Sequence, residues 1–330
     1  MPSLIASPSP PFPIPPPATV PPPAGDHNYI RCSPKFFSVA VRGGGGPVLV
    51  LPYSSFGKLP TGAPTINGHS AAVYDTAWNP FNDNMLATSS DDTTVKVWSI
   101  PDGGLTENMR DPLVTLNGHG KPVSLLQWHP TANNVIASAG KEPSVKIWDV
   151  EKAAAKISLE GFGGLVQDMA WSHDGAQLMT STKDKLAKVH DPRGGSIVHE
   201  WTPHEGGKAF KALFLGESGR VLTVGFTKQS KREFKIWDVK ATTAKPISTF
   251  ELDQASGVMI PFYDEDTRML YLTGKVRRRA AAATAALTTG PVSCVRRVAR
   301  PPRRVCIHGP PPPPPPPSMV TAGRRQRALL

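Results

Sequence analysis

Three residue types that hydrolases use together, a histidine, an acid and a hydroxyl, recur at a fixed spacing in this sequence. His69, Thr88 and Asp92 form the first set, and a histidine oriented by a carboxylate can activate a hydroxyl for nucleophilic attack. A second set, with Ser138 and with Glu142 in the acid position, follows 50 residues later. Because catalysis needs one such set and not a series, the repetition favours a structural pair of histidine and acid at a strand turn.

Two other chemistries are poorly supported by the residue spacing. His129, His173 and His190 are potential metal ligands, but no two of them lie at ligand spacing on one predicted element. Residues 43–46 are all glycine, yet they lack the Gly-Lys-Ser/Thr ending and the following helix of a phosphate-binding loop. They lie between two predicted strands, which indicates a hairpin turn. The sequence therefore predicts no enzyme activity, no metal site and no cofactor.

The elements that carry these residues form a repeat. Short runs alternate apolar and polar side chains between turn residues, which is typical of half-buried antiparallel strands, and long amphipathic helical patterns are missing. Three matches share an offset of 50 residues: Gly-His at 68 and 118, Trp-Asn-Pro at 78 with Trp-His-Pro at 128, and Val-Lys-Val-Trp at 95 with Val-Lys-Ile-Trp at 145. Third and fourth copies follow, and the sequence predicts an all-β repeat protein.

The formal net charge of +11 on this 330-residue chain comes from one segment. Residues 276–330 contain 11 arginines, no lysine and no acid, which leaves 26 basic and 26 acidic side chains in residues 1–275. The neutral body argues against specific nucleic-acid binding by the folded part. The arginine clusters could bind anionic lipid or nucleic acid without specificity.

Both ends of the chain have a biased composition. The segment 1–33 is rich in proline, which favours extended polyproline II over a packed element. The tail 276–330 is rich in arginine, alanine and proline, and we expect both ends to be disordered. Its proline run at 310–317 could dock on a polyproline-binding partner.

No apolar run is long enough for a membrane-spanning helix. Three distant cysteines indicate a reducing compartment.

The repeat resembles the WD repeat, in which each unit builds one four-stranded blade of a β-propeller. In that family a His, a Ser or Thr, an Asp and a Trp form a hydrogen-bonded set that pins three strands of the blade. By position, the structural blade residues here are His69, Thr88, Asp92 and Trp98, then His119, Ser138, Trp148 and Asp149, then Thr180 and Asp184, and finally Trp237 and Asp238. The set is expected to be complete only in the first copy, because Glu142 replaces the acid of the second, and Phe162 and His190 replace the His and Trp of the third.

Several stretches between the repeats are more specific than the repeat itself. They are PKFFSVAV at 34–41, WHPTANNV at 128–135, KDK at 183–185, HDPRGG at 190–195, TVGF at 223–226 and PFYDEDT at 261–267. Together they resemble the propeller of the coronins, which are actin-filament-binding WD-repeat proteins. The resemblance implies a seven-bladed propeller, F-actin and other actin regulators as partners, a role in actin cytoskeleton organisation and cell motility, and a location in the cytoplasm and cell cortex.

The chain therefore divides into a proline-rich segment 1–33, a WD-repeat propeller 34–275 and a basic tail 276–330. We expect full blades at about 69–100, 119–150, 163–192 and 206–240, with partial blades at 34–52 and 248–275. The family pattern stops after residue 275, so we expect a truncated ring with unpaired strand edges. An alternative hypothesis is a WD-repeat interaction scaffold that has lost actin binding through truncation.

Basic residues in turns are the candidate actin contacts, because filament surfaces are acidic. They are Lys183, Lys185 and Arg193 in the third repeat and Lys228, Lys231 and Arg232 in an insertion of the fourth. A single exposed ion pair contributes about 0–1 kcal/mol. Binding through these residues must therefore be collective, and salt should weaken it.

Overall fold

The structure is a computed structural model that describes residues 30–41, 43–55, 59, 62–239 and 245–274. Residues 1–29 of the proline-rich segment, and the basic tail with its proline run at 310–317, lie outside the described residues. The prediction of disorder there stays a prediction. Residues 30–32, which that prediction included, form a strand paired with residues 37–39.

The described residues form antiparallel strands and one short 3₁₀ turn, Gly216–Ser218. The first three sheets, blades 1 to 3, contain β1 (Ile30–Cys32), β2 (Phe36–Ala40), β3 (Val48–Pro52) and β4 (Thr65–Ile66); β5 (Val73–Trp78), β6 (Met85–Ser90), β7 (Val95–Ser99) and β8 (Val114–Leu116); β9 (Val123–Trp128), β10 (Val135–Gly140), β11 (Val145–Asp149) and β12 (Ala154–Leu159). Blades 4 to 6 contain β13 (Val166–Trp171), β14 (Leu178–Thr182), β15 (Ala187–Asp191) and β16 (Ser196–Trp201); β17 (Lys211–Phe214), β18 (Arg220–Phe226), β19 (Arg232–Asp238) and β20 (Ser248–Asp253); β21 (Met259–Asp264) and β22 (Met269–Gly274).

Neighbouring strands within each sheet are consecutive in the chain, which confirms the all-β blade architecture. The blade count differs from the expectation at both ends of the propeller. Blade 1 has four strands instead of a partial set at 34–52, because β1 and the two-residue β4 flank the predicted hairpin. The region 248–275 is divided, since β20 completes blade 5 and only β21 and β22 remain for blade 6. Two- and three-residue strands are too short to show an alternating pattern.

The core lies between successive blades. Trp98 and Trp148 are fully buried, and one cluster joins apolar residues of β6 and β7 to residues of β9 and β10. The second strand of a blade is covered by both neighbouring blades, so its side chains are buried on both faces. In β10, five of the six residues are buried, with little alternation. This packing fixes the spacing between blades.

The first strands of neighbouring blades lie side by side, as β5, β9, β13, β17 and β21 do. Because consecutive strands of a meander run in opposite directions, the turn after the second strand lies at the same edge as the loop before the first. We call this the upper edge, and it carries the turns 91–94, 141–144, 183–186 and 227–231. The lower edge carries the turns 129–134, 172–177, 192–195, 215–219 and 265–268.

Candidate functional site

The hydrogen-bonded set of blade 2 forms as the sequence places it. Trp98 Nε1 donates to Thr88 Oγ1 at 2.8 Å, and His69 Nε2 lies 2.7 Å from the same oxygen. His69 Nδ1 lies 2.8 Å from Asp92 Oδ2. Since the indole N–H can only donate, the Thr88 hydroxyl is free to donate to His69 Nε2, which leaves the Nδ1 proton for Asp92. The set links the loop before β5, strand β6, the following turn and strand β7.

The environment of this set fits a structural role. Thr88 and Trp98 have no exposed surface and His69 is 4% exposed, so the hydroxyl is out of reach of a substrate. Burial alone would raise the pKa of Asp92, but hydrogen bonds from His69 and Thr94 outweigh burial and lower that pKa. Gly68 allows the loop to lie close, because a Cβ there would be 2.3 Å from the carbonyl oxygen of Arg110.

Blade 3 has the same arrangement with a longer acid. Trp148 Nε1 donates to Ser138 Oγ at 2.7 Å, and His119 Nε2 lies 2.6 Å from that oxygen. The carboxylate of Glu142 bonds His119 Nδ1. Burial lowers the pKa of His119, although the bond to Glu142 opposes this shift. The expectation of a single complete set is therefore wrong, because the extra methylene of Glu142 still reaches the imidazole.

A third complete set lies in blade 5, and the sequence analysis missed it. His204 Nδ1 lies 2.8 Å from Glu233 Oε1, His204 Nε2 lies 3.0 Å from Thr223 Oγ1, and Trp237 Nε1 donates to Thr223 at 2.8 Å. Glu233 lies on β19 opposite Gly225. A Cβ on Gly225 would be 2.6 Å from the imidazole of His204, so the glycine makes room for the ring.

One spacing could have revealed this set. The histidine and the hydroxyl are 19 residues apart in blades 2, 3 and 5. The hydroxyl and the tryptophan are 10 residues apart in blades 2 and 3 but 14 apart in blade 5. The longer hairpin between β18 and β19 moves the acid and the tryptophan out of register, which hid them from an alignment without gaps.

Blade 4 replaces the set with a packed pair. His190 stands in the tryptophan position, and its Nε2 lies 3.1 Å from Thr180 Oγ1. Phe162 packs on the His190 ring at a centroid distance of 5.1 Å. Burial, together with the charge of Lys188, lowers the pKa of His190 to about 4. Asp184 bonds the Thr182 hydroxyl and the backbone N–H of Leu186 within its own turn.

The aspartates of the two Trp-Asp pairs, Asp149 and Asp238, lie at the ends of β11 and β19. Asp149 accepts the backbone N–H of Lys152 at 3.2 Å and so closes a turn at the lower edge. Asp238 ends β19 with an exposed side chain. In the sets of blades 3 and 5, the tryptophan and the histidine both contact the buried hydroxyl.

Two aspartates that the sequence analysis missed, the buried Asp75 and the half-buried Asp168, join neighbouring blades. Asp75 on β5 accepts the backbone N–H of Leu126 on β9 at 3.2 Å. Asp168 on β13 accepts the backbone N–H of Ala212 on β17 at 3.1 Å, and Lys211 Nζ lies 3.2 Å away. Burial raises the pKa of Asp75. The shared Val-x-Asp pattern at 73–75 and 166–168 was the available signal.

The six candidate actin-contact residues do not form one patch. Lys183 and Lys185 lie in the turn after β14, and Lys228 and Lys231 lie in the turn after β18, all at the upper edge. Arg193 lies in the turn between β15 and β16, at the lower edge.

Ion pairs reduce this set further. Lys231 Nζ lies 3.1 Å from Glu251 Oε2, and the Arg232 guanidinium makes two bonds to Asp253. These bonds lower the pKa of Asp253. Lys185 Nζ donates to the carbonyl oxygen of Glu205 at 3.1 Å. Of the candidates at the upper edge, Lys183 and Lys228 have no side-chain partner among the described residues, so these two are the most available to a ligand there.

The histidines considered as metal ligands lie apart. His129 Nδ1 accepts two backbone N–H groups and its Nε2 donates to the carbonyl oxygen of Gly175 at 3.0 Å. His173 Nδ1 lies 2.8 Å from Glu265, while His190 is in the core of blade 4. No cluster of three or more potential ligands occurs within the described ranges. In that same part of the chain, no helix has the length and apolar character needed to cross a bilayer.

Known proteins match this chain over its repeats. The family model "WD domain, G-beta repeat" matches residues 63–99, 110–149 and 156–191, and "Domain of unknown function (DUF1899)" matches residues 19–58. Coronin-A of Dictyostelium discoideum is 49% identical over 253 residues, which are 76% of this chain and 56% of that protein. The chain thus spans little more than half the length of that relative.

Two solved structures share the fold. The WD40 domain of Toxoplasma gondii coronin superposes with a TM-score of 0.70 at 32% identity, covering 76% of this chain and 68% of that chain. A chain of the mitotic checkpoint complex superposes with a TM-score of 0.59 at 19% identity, covering 75% and 72%. The second likeness concerns the fold alone.

Proposed function

This chain belongs to the coronin family, and from that membership we propose that it binds actin filaments and organises the actin cytoskeleton in the cytoplasm and at the cell cortex. The observation that carries the proposal is the 49% identity with Coronin-A, which extends over 76% of this chain. Coronins and WD-repeat propellers are non-enzymatic scaffold proteins. The buried histidine sets described above are consistent with that role, because they hold strands together.

The distribution of charge supports the upper edge of blades 4 and 5 as the filament-binding surface. Five lysines lie in its turns and loops: Lys183, Lys185, Lys208, Lys228 and Lys231. The nearby exposed acids are Asp184, Glu205 and, on β20, Glu251 and Asp253. The last two are already paired with Lys231 and Arg232. A basic surface of this kind attracts an acidic filament from solution and is weakened by salt.

Co-sedimentation with actin filaments tests the proposal. The double variant Lys183→Glu/Lys228→Glu reverses two lysines that have no internal partner, so folding should be unaffected. We expect its dissociation constant to rise about tenfold, because two exposed contacts of up to about 1 kcal/mol each are lost or become repulsive. The matched control is Arg193→Glu/Lys156→Glu, which makes the same charge change away from the upper edge and should alter affinity less than about twofold.

The two possible failures have different meanings. If both double variants weaken binding equally, the upper edge is not the filament-binding surface, although the chain still binds filaments. If the unmodified chain does not pellet with filaments at low salt, the actin proposal fails, and a WD-repeat scaffold with other partners becomes the better account.

A further inference from the structure

A pocket of about 470 Å³ opens at the lower edge, where the first strands of blades 3, 4 and 5 end. Its apolar walls come from Trp128, Trp171 and Phe214, and Glu265 of blade 6 closes one side. The lining contains no lysine or arginine. The lining also carries five polar side chains, which are Gln127, Thr131, Ser172, His173 and Glu265. Concave sites of this volume that place polar groups beside aromatic walls are typical ligand sites.

Trp171, which lines the pocket, has an indole N–H without a partner in the described part of the chain. The tryptophans in the same position of blades 2 and 3 are satisfied by the preceding blade: Trp78 Nε1 donates to the carbonyl oxygen of Arg31 at 3.3 Å, and Trp128 Nε1 donates to that of Ala77 at 2.9 Å. The Nε1 of Trp171 is buried and has no acceptor among the described residues. Buried N–H groups are nearly always paired, so this one calls for an acceptor oxygen.

The polar side of the pocket is acidic. His173 Nδ1 lies 2.8 Å from Glu265 Oε2, and its Nε2 lies 3.6 Å from Glu217 Oε1. The imidazole thereby holds Glu265 at the pocket, while half of the Glu265 side chain stays exposed to an incoming group. A carboxylate beside indole faces favours a cation, since the aromatic face is the negative side of the ring.

We propose that this pocket binds an arginine residue presented by a partner polypeptide. The guanidinium lies against the aromatic walls and pairs with the carboxylate of Glu265. A backbone carbonyl of the same segment accepts the N–H of Trp171. Arginine fits better than lysine because its planar group can stack on a ring and present two donors to one carboxylate. The pocket lies at the edge opposite the lysines of the upper edge, so this inference does not depend on filament binding.

A titration of the full chain with acetyl-Gly-Arg-Gly-amide tests the proposal. The tryptophan side chains are labelled with ¹⁵N, and Trp171→Phe identifies the Trp171 indole signal. We expect that signal to move saturably, with the signal of Trp78 unchanged. The same peptide with citrulline in place of arginine keeps the shape without the charge, and it should bind at least about fivefold more weakly.

Two single variants locate the charge. Glu265→Gln should weaken binding of the arginine peptide about fivefold to tenfold, because it removes the paired carboxylate. Asp266→Asn removes the same charge from the neighbouring residue, which does not line the pocket, and should change affinity less than about twofold. Both residues are in an exposed turn, so neither change should disturb folding.

Several outcomes would overturn the assignment. They are an unmoved Trp171 signal, equal binding of the citrulline peptide, or equal weakening by the two variants. A Trp171 signal that moves when the 11 arginines of 276–330 are replaced by glutamine would identify the chain's own tail as the occupant and would equally overturn a partner-borne arginine. Co-sedimentation of Glu265→Gln with filaments separates this test from the proposed function, since that variant should pellet normally.

Discussion

Blades 2 and 4 have the same four-strand arrangement but different interiors. In blade 2, His69 and Trp98 share the hydroxyl of Thr88, with their ring centroids 6.2 Å apart. In blade 4, Phe162 and His190 fill the corresponding space at 5.1 Å. Blade 4 keeps one bond to its hydroxyl, from His190 to Thr180, where blade 2 makes two. The comparison indicates that packing defines the blade in both cases, while the number of bonds to the buried hydroxyl sets how much the polar groups add.

The largest expected difference between the two blades is the loss of unfolding free energy when the buried hydroxyl is removed. Thr88→Val leaves two buried donors or acceptors, on His69 and Trp98, without a partner. We expect a loss of about 2–6 kcal/mol in the free energy of unfolding, at about 1–3 kcal/mol for each unpaired group. Thr180→Val leaves only His190 Nε2 unpaired, so the expected loss is about 1–3 kcal/mol. Urea unfolding of the full chain measures both values.

A conservative variant serves as the control for this pair. Thr88→Ser keeps the hydroxyl, which blade 3 naturally supplies from Ser138, and removes one methyl group. Its cost should be near 1 kcal/mol, which is about the value of one buried carbon. If Thr180→Val destabilises the protein as much as Thr88→Val, the complete set contributes nothing beyond a single hydrogen bond.

Acid should destabilise blade 4 in a way that a tryptophan would prevent. Burial lowers the pKa of His190 from 6.5 to about 4, so between these values the unfolded chain binds a proton that the folded chain does not. The stability that depends on neutral His190 is fully present above about pH 6.5. It is lost as the pH falls towards 4, by about 1.4 kcal/mol of unfolding free energy per pH unit. His190→Trp, which restores the repeat's own residue and its N–H donor to Thr180, should flatten the profile of unfolding free energy between pH 4 and 6.5.

The rest of the pH profile provides the internal control. Burial also lowers the pKa values of His119 and His204, and their part of the acid loss should persist in His190→Trp. An unchanged slope in that variant would show that His190 is charged in the folded protein at pH 5, against the buried pair described above.

The sequence predicted the fold where the repeat keeps its length. Blades 2 and 3 share an offset of 50 residues, and their tryptophans and hydroxyls were assigned correctly by position. Blade 5 was only partly assigned, because the longer hairpin after β18 moves Glu233 and Trp237 relative to Thr223. The short strands β1 and β4 escaped for a different reason, since strands of three and two residues are too short to show an alternating pattern.

The candidate contact surface and the pocket show the limit of such predictions. Charge and turn position selected Lys183 and Arg193 together, but the direction of the strands places them at opposite edges of blade 4. The pocket joins Trp128, Trp171 and Glu265 from three blades. No local pattern encodes that juxtaposition, because it arises from the packing of blades against each other.

The smallest expected difference between blades 2 and 4 comes from glycine substitutions in the turns after their second strands. Thr93 in blade 2 and Lys185 in blade 4 both have left-handed backbones, with φ of 67° and 70°. That conformation costs a non-glycine residue about 1–2 kcal/mol, while a glycine costs about 0.5–1 kcal/mol in the unfolded chain. Thr93→Gly should therefore stabilise the protein by about 0.5 kcal/mol. Lys185→Gly should gain less, because it also removes the bond from Lys185 Nζ to the carbonyl oxygen of Glu205. Urea unfolding resolves the order of the two variants, and a larger gain from Lys185→Gly would mean that this lysine contributes nothing to blade 4.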